Sequence, residues 1–142
     1  MIFNASFYIM KKTILGGLFM GSIFDNFIQK GKNQESNGSV EYENEQQRTT
    51  DPVKISAKVT GTVQGVGFRF STKQVAMELG IGGIVRNESD GSVYVEANGS
   101  KEEIAQFIEA LRKGPSPAAE VEKVLVKYEE SLKVRDKFTQ AN

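Results

Sequence analysis

The sequence predicts an α+β domain in which two helices cover one face of an antiparallel sheet. Alternating apolar and polar residues, typical of half-buried strands, occur within 55–59 and 124–128, and 84–87 and 92–97 also have the character of strands. Two segments with apolar residues at helical spacing lie between these stretches, and a glycine follows each of them. The chain has 142 residues, of which 39% are hydrophobic, and this composition is sufficient for one hydrophobic core.

A glycine-rich stretch connects the first predicted strand to the first predicted helix. Alternation over 55–59 indicates a strand with one buried face, and residues 61–67 then include three glycines. Apolar residues within 75–79 recur at helical spacing until Gly80, a residue type that is common directly after a helix. This part of the chain is therefore predicted as strand, loop and helix.

Two further strands are predicted at 84–87 and 92–97, with a turn between them. The turn sequence is Glu88-Ser-Asp-Gly91, and its Asp-Gly pair favours a tight hairpin. Asp90 is accordingly interpreted as a turn residue rather than a catalytic carboxylate.

The second helix has the clearest boundaries of any predicted element. Ser100 and Glu103 have the spacing of a capping box, and an apolar stripe follows over 104–111. Gly114 and Pro115 are expected to end the helix. A strand at 124–128 and a short one around Phe138 would complete the domain.

The predicted order of the main elements is β-α-β-β-α-β. This order is typical of the ferredoxin-like arrangement, an α/β sandwich with both helices on one face of the sheet. We assign this domain to residues 53–142.

Residues 1–28 form an apolar leader with two open interpretations. Its longest uncharged run, 13–24, has 12 residues, too few for a membrane-spanning helix. Lys11 and Lys12 precede the run as in a secretory signal, but no cleavage motif follows and Asp25 comes early. The leader is either a signal or membrane-associated segment, or an extension without a fold of its own. We expect a cytoplasmic protein, with a membrane-associated or exported form left open.

Residues 29–52 have the composition of a disordered polar linker. They contain few apolar side chains and many Asn, Gln, Glu and Ser residues, which cannot bury enough surface to offset chain entropy. The domain is therefore expected to keep its stability when residues 1–49 are removed.

Composition excludes several kinds of chemistry. The chain has no Cys and no His, so it lacks thiolate nucleophiles, disulfides and the usual general base near neutral pH. It has 18 basic and 18 acidic residues and no net charge, so an anionic ligand must be held by a local arrangement.

The stretch from Gly61 to Arg69 has the features of an anion-binding loop. Glycines allow successive backbone N–H groups to point toward one centre, and the N-terminus of the next helix adds unpaired donors. Arg69 lies at the junction, where its guanidinium could bind two phosphate oxygens. The alternative is a glycine-rich turn with a surface arginine. The spacing matches neither a Walker A loop nor a dinucleotide-binding fingerprint.

Two motifs give the chain a specific resemblance. The sequence Gly61-Thr-Val-Gln-Gly-Val-Gly-Phe-Arg69 resembles the active-site loop of the acylphosphatase family. The second family motif resembles Gly83-Ile-Val-Arg-Asn87, followed by Asp-Gly-Ser-Val at 90–93. The resemblance covers roughly 55–127. Ile84 stands where the family often has Trp, and residues 132–142 match poorly.

The resemblance implies an enzyme that hydrolyses the carboxyl-phosphate bond of small acyl phosphates without a metal or other cofactor. It implies that Arg69 binds the phosphate and that Asn87 positions the attacking water. The implied cradle of backbone amides comprises Gln64, Gly65, Val66, Gly67, Phe68 and Arg69. Phe68 is also expected to anchor the loop to the core, and the protein is expected to be a monomer.

Two other functional classes are considered. The first is a non-catalytic or auxiliary acylphosphatase-like domain, as found in larger carbamoyl-transferring maturation proteins. The presence of both Arg69 and Asn87 argues against it. The second is a nucleic-acid-binding sheet, which would stack bases on exposed aromatic side chains. The strand at 92–97 offers only Tyr94, and the charge is balanced, so we expect no nucleic-acid partner.

Overall fold

The computed structural model describes residues 38–45 and 51–142. The predicted leader lies outside this range, as do residues 29–37 and 46–50 of the predicted linker. The elements, in chain order, are β1 (Ser39–Tyr42), β2 (Val53–Thr62), α1 (Phe68–Leu79), β3 (Gly82–Asn87), β4 (Val93–Gly99), α2 (Lys101–Lys113), β5 (Glu120–Tyr128) and β6 (Phe138–Gln140).

One six-stranded sheet has the order β1-β5-β2-β4-β3-β6. Its four central strands pair antiparallel, in the order expected of the ferredoxin-like arrangement, so the predicted fold class is confirmed. The two edges differ from the prediction of a purely antiparallel sheet, because β1 runs parallel to β5 and β6 runs parallel to β3.

The hydrophobic core lies between the sheet and the two helices. Alternate residues of β2, among them Ile55 and Val59, are fully buried, as the period-two pattern predicts. Helix α2 begins with the predicted capping box of Ser100 and Glu103. The ring of Phe107 on α2 packs edge-to-face on Phe138, with ring centroids 5.7 Å apart, and this contact holds β6 against the core.

Strand β1 corrects the prediction of a disordered linker over 29–52, which is wrong for residues 39–42. Tyr42 stacks on Tyr128 with ring centroids 5.9 Å apart, and the side-chain amide of Asn44 exchanges hydrogen bonds of 3.0 and 2.9 Å with the backbone of Tyr128. Strand β1 is mostly exposed and pairs with β5 through backbone groups. Composition could not reveal it, because every residue type except proline can form such backbone pairs.

A β-bulge turns the end of β2 toward the glycine-rich loop. The register with β5 shifts between Thr60 and Gly61. Gly61 has a φ of 127°, and a Cβ atom there would lie 2.2 Å from the carbonyl oxygen of Glu120. Only glycine allows the two strands to approach this closely, so Gly61 directs the chain into the loop.

Candidate active site

The loop between β2 and α1 has the backbone conformation that its glycines predict. Gly65 and Gly67 have φ values of 76° and 78°, in the left-handed region. A Cβ atom at either position would meet no other atom within 4 Å, so the loop borders open space. Phe68 is 1% exposed, and its predicted role as the anchor of the loop is confirmed.

The N-terminus of α1 leaves its first backbone N–H groups available. Gly67 at the N-cap provides no side-chain hydrogen bond, and the first turn holds no acidic residue. Helix α2 differs on both counts, because it has a capping box and two glutamates in its first turn. The start of α1 therefore keeps both unpaired donors and an uncompensated positive dipole end.

Arg69 lies in the first turn of α1, and its guanidinium contacts the C-terminal part of the described chain. Its Nη1 atom donates hydrogen bonds to the backbone oxygen of Ala141 at 2.9 Å and to Oδ1 of Asn142 at 3.0 Å. It also contacts the backbone oxygen of Asn142. All these contacts use Nη1, so Nε and Nη2 remain for a ligand.

Asn87 is the last residue of β3 and contacts the same Asn142. Its backbone N–H donates to Oδ1 of Asn142 at 3.1 Å, and its carbonyl accepts from Nδ2 at 3.1 Å. The side-chain oxygen of Asn87 is buried and has no hydrogen-bond partner among the described residues. Arg69 and Asn87 therefore both hydrogen-bond to Asn142, while the side-chain oxygen of Asn87 is a buried acceptor without a partner among the described residues.

Gln64 connects the loop to the β3–β4 hairpin. Its Nε2 atom donates hydrogen bonds of 2.8 Å to the carbonyl oxygen of Glu88 and of 2.8 Å to that of Ser92. The sequence predicts a role only for the backbone amide of Gln64. No local pattern indicates this side-chain contact, because its two acceptors lie 24 and 28 residues further along the chain.

Asp90 stabilises the turn of the hairpin, as its sequence context predicts. Its Oδ1 atom accepts hydrogen bonds from the backbone and the hydroxyl of Ser92, and Oδ2 lies 2.7 Å from Nζ of Lys58. The hydrogen bond from Lys58, with those from Ser92, holds the pKa of the Asp90 carboxyl well below its usual range. Asp90 is thus a charged turn residue.

The geometry of Tyr94 argues against the nucleic-acid alternative. The guanidinium carbon of Arg86 lies 4.3 Å from the centroid of the Tyr94 ring, and the hydroxyl donates to Glu96 at 2.8 Å. Burial, with the Glu96 hydrogen bond, raises the pKa of Tyr94 to about 12. One ring face and the hydroxyl are therefore engaged, which leaves a poor platform for stacking a base.

Within residues 38–45 and 51–142, no group of three or more Asp or Glu side chains is arranged to hold a metal ion. No helix in the same range has the length and apolar character needed to cross a membrane.

The comparison with family models decides the identity. The model described as Acylphosphatase matches residues 55–140. The chain belongs to the acylphosphatase family. It is an enzyme that hydrolyses the carboxyl-phosphate bond of acyl phosphates, as the motif resemblance predicts. The match extends through β6, so the C-terminal segment that resembled the family poorly is part of the family domain.

Curated relatives and solved structures agree with this assignment. The acylphosphatase of Ligilactobacillus salivarius is 53% identical over 66 residues, which cover 46% of this chain and 73% of the relative. That of Lactobacillus johnsonii is 44% identical over 85 residues, covering 60% and 90%. The crystal structure of the Bacillus subtilis acylphosphatase superposes with a TM-score of 0.61 at 32% identity, covering 63% of this chain and 99% of the other.

Full-length HypF, in its phosphate- and nucleotide-bound form, also superposes, with a TM-score of 0.60 at 27% identity. The match covers 68% of this chain and 13% of HypF. The same domain therefore also occurs as a small part of a larger protein.

Proposed function

We propose that Arg69, the backbone amides of residues 64–69 and the side chain of Asn87 carry out the hydrolysis. The observation that carries the proposal is that the side chain of Arg69 and the backbone of Asn87 both hydrogen-bond to the side chain of Asn142. A phosphoryl group bound by Arg69 would therefore lie close to the open side-chain acceptor of Asn87.

The loop and Arg69 would bind the three phosphoryl oxygens. The left-handed glycines and the uncapped start of α1 provide backbone donors around open space. Nε and Nη2 of Arg69 supply a planar pair of charged donors. These groups would stabilise the charge that spreads over the phosphoryl oxygens in the transition state.

Asn87 would orient the attacking water. Its buried Oδ1 atom has no partner among the described residues, and an unpaired buried acceptor is costly unless a ligand or water satisfies it. A water that donates one hydrogen to Oδ1 would direct an oxygen lone pair at the phosphorus atom. Asn87 cannot remove the proton, so its contribution is orientation.

The remaining chemistry needs no general acid. The water oxygen forms a bond to phosphorus while the bond from phosphorus to the acyl oxygen breaks. The carboxylate leaves with the bonding electron pair, and its low basicity means that it needs no protonation. The proton of the water passes to a phosphoryl oxygen. The absence of histidine and cysteine from the chain is compatible with this route.

We also propose that the enzyme acts as a monomer, because one chain supplies the loop, Arg69 and Asn87 together. Light scattering at assay concentration tests this proposal. A cytoplasmic location stays a prediction, since residues 1–28 lie outside the described part of the chain. Cell fractionation of the full chain tests it.

The test of the catalytic proposal is hydrolysis of benzoyl phosphate in the presence of a chelator. We expect turnover by the wild-type chain and a loss on the order of 10³-fold or more in Arg69→Gln. Arg69→Lys should recover little, because an ammonium cannot form the bidentate contact. Lys73→Gln removes a cation from the same helix and should leave the rate unchanged.

Near-normal turnover by folded Arg69→Gln would contradict the role of Arg69. The alternative of an auxiliary, non-catalytic domain predicts that even the wild-type chain binds inorganic phosphate without hydrolysing benzoyl phosphate. The same assay therefore separates the two functional classes.

A further inference from the structure

We infer that the side-chain amide of Gln64 is a positioning group that holds the phosphate-binding loop against the hairpin carrying Asn87. The inference rests on the proposed function, because it concerns the alignment of the bound phosphoryl group with the water on Asn87. It assigns Gln64 a role separate from that of its backbone amide in the phosphate cradle.

The contact joins the loop to both sides of the hairpin turn. Nε2 of Gln64 uses its two hydrogens on two acceptors, the carbonyl oxygens of Glu88 and Ser92, each at 2.8 Å. Glu88 directly follows Asn87, and Ser92 precedes the first residue of β4. A displacement of the loop along or away from the hairpin would lengthen at least one of these hydrogen bonds.

The hairpin does not need Gln64 to keep its shape. The carbonyl oxygen of Ser92 also accepts from the backbone N–H of Glu88 at 2.9 Å, and that of Glu88 also accepts from Gly91 at 3.2 Å. Asp90 additionally binds Ser92 and Lys58. Gln64 therefore adds a link between two parts of the site, each of which is stabilised by its own contacts.

The link matters because the loop and Asn87 follow strands that are not adjacent in the sheet. The loop follows β2 and Asn87 ends β3, while β4 lies between these strands. Adjacent strands lie about 4.8 Å apart, so the backbone positions of β2 and β3 are separated by roughly 10 Å. Hydrolysis needs the water and the phosphorus atom aligned, and an error of about 1 Å can lower the rate on the order of 10²-fold.

A double-mutant cycle with Asn87 tests the inference on the full chain. Gln64→Met keeps the length of the side chain and removes both donors. We expect it to lower kcat for benzoyl phosphate by about 10- to 100-fold in the wild-type background, and by less than about threefold in the Asn87→Ala background. Without Asn87 the water is no longer oriented, so the position of the loop relative to the hairpin should affect kcat less.

Inhibition by inorganic phosphate and thermal melting give the readouts that a purely structural role would not reproduce. We expect the inhibition constant of Gln64→Met to stay within about threefold of wild type, because Arg69 and the backbone amides are unchanged. The melting temperature should fall by only a few degrees, roughly the effect of one or two lost hydrogen bonds. Lys58→Met is the matched control, since it removes another hairpin contact without touching the loop, and its kcat should be unchanged.

Gln64→Glu provides an independent test. At neutral pH its carboxylate would face two carbonyl oxygens, so it should be more damaging than Gln64→Met. Its kcat relative to wild type should rise as the pH falls, because a protonated carboxyl can donate one of the two hydrogen bonds. A ratio that does not change with pH would count against the inference.

The outcomes separate this inference from the proposed function. Equal effects of Gln64→Met in both backgrounds, with Asn87→Ala itself strongly impaired, would overturn the role of Gln64 and leave the proposed site intact. An Asn87→Ala single variant with wild-type kcat would overturn the proposed site, and the role of Gln64 with it.

Discussion

The side chain of Asn142 pairs with the backbone of Asn87 as a neighbouring strand would. The N–H of Asn87 donates to Oδ1 at 3.1 Å, and Nδ2 donates to the carbonyl of Asn87 at 3.1 Å. This pairing continues the ladder between β3 and β6, in which Ala141 donates to the carbonyl of Val85 at 2.8 Å. Because Oδ1 also accepts from Arg69 at 3.0 Å, one side-chain amide joins both proposed catalytic residues.

Replacing Asn142 by alanine should therefore reduce catalysis more than binding. The variant loses the side-chain contacts with Asn87 and Arg69, while the backbone oxygens that bind Arg69 remain. We expect kcat for benzoyl phosphate to fall by about 3- to 10-fold, the scale of one or two hydrogen bonds, with little change in KM. Thr139→Ala, an exposed change in β6, is the control, and an unchanged kcat in Asn142→Ala would show that the bridge has no catalytic effect.

Asn87→Ala should lower kcat steeply while inorganic phosphate still binds with similar affinity. The physical reason is that Asn87 orients the water and contacts the phosphate little, whereas Arg69→Gln should weaken both rate and phosphate binding. Asn87→Asp should be at least as damaging as alanine, because it places a negative charge near the phosphoryl group. Steady-state kinetics and melting curves of these variants are the measurement.

The competing interpretation is that Asn87 only supports the hairpin. In that case Asn87→Ala would lower the free energy of unfolding by about 1 kcal/mol and leave the kcat of the folded fraction unchanged.

Removing residues 1–49 should destabilise the domain, contrary to the expectation from sequence alone. The deletion removes β1 and exposes the backbone groups of β5, along with the stacking surface of Tyr128. An uncovered strand edge can pair with another chain. We expect a melting temperature lower by more than about 5 °C and association that increases with protein concentration, measured by calorimetry and light scattering.

A point substitution tests the same edge within the full chain. A Cβ atom on Gly38 would lie 2.6 Å from the side chain of Val121, so Gly38→Val should displace the start of β1. Ser39→Val, at an exposed neighbouring position, is the matched control. Wild-type melting temperatures for both Gly38→Val and the truncated chain would show that β1 contributes nothing to stability.

The contact between Lys58 and Asp90 should stabilise the protein less as the pH falls below about 4. Because the pKa of Asp90 is lowered in the folded state, its carboxylate stabilises that state above about pH 4, the unfolded pKa. This contribution is lost as the pH falls through the lower folded pKa. Asp90→Asn should therefore be less stable than wild type at pH 7, and the difference should shrink at pH 3.

Urea midpoints of both proteins at the two pH values measure this effect. The pair is exposed to solvent, so the difference should be small and should decrease further in high salt. Asp136→Asn, an exposed carboxyl outside the hairpin, is the control. A difference that grows on acidification would contradict the role assigned to Asp90.

The sequence by itself was sufficient to predict the elements whose signals are local. The alternation in β2 and the capping box of Ser100 predict their elements because period and capping depend on neighbours a few residues away. The same reason applies to the loop, where Gly65 and Gly67 are needed for left-handed backbone. The motif resemblance added the roles of Arg69 and Asn87, which remain proposals until the variants are measured.

Only the tertiary structure decided which of these elements meet. Strand β1 escaped prediction because it pairs through backbone groups, which carry no signal in the side-chain pattern. The contact of Arg69 with Asn142 and the link from Gln64 to the hairpin join residues that are 73 and 24 or 28 positions apart. Such contacts depend on the order and register of the strands, which follow from packing the whole core, and no local periodicity encodes that order.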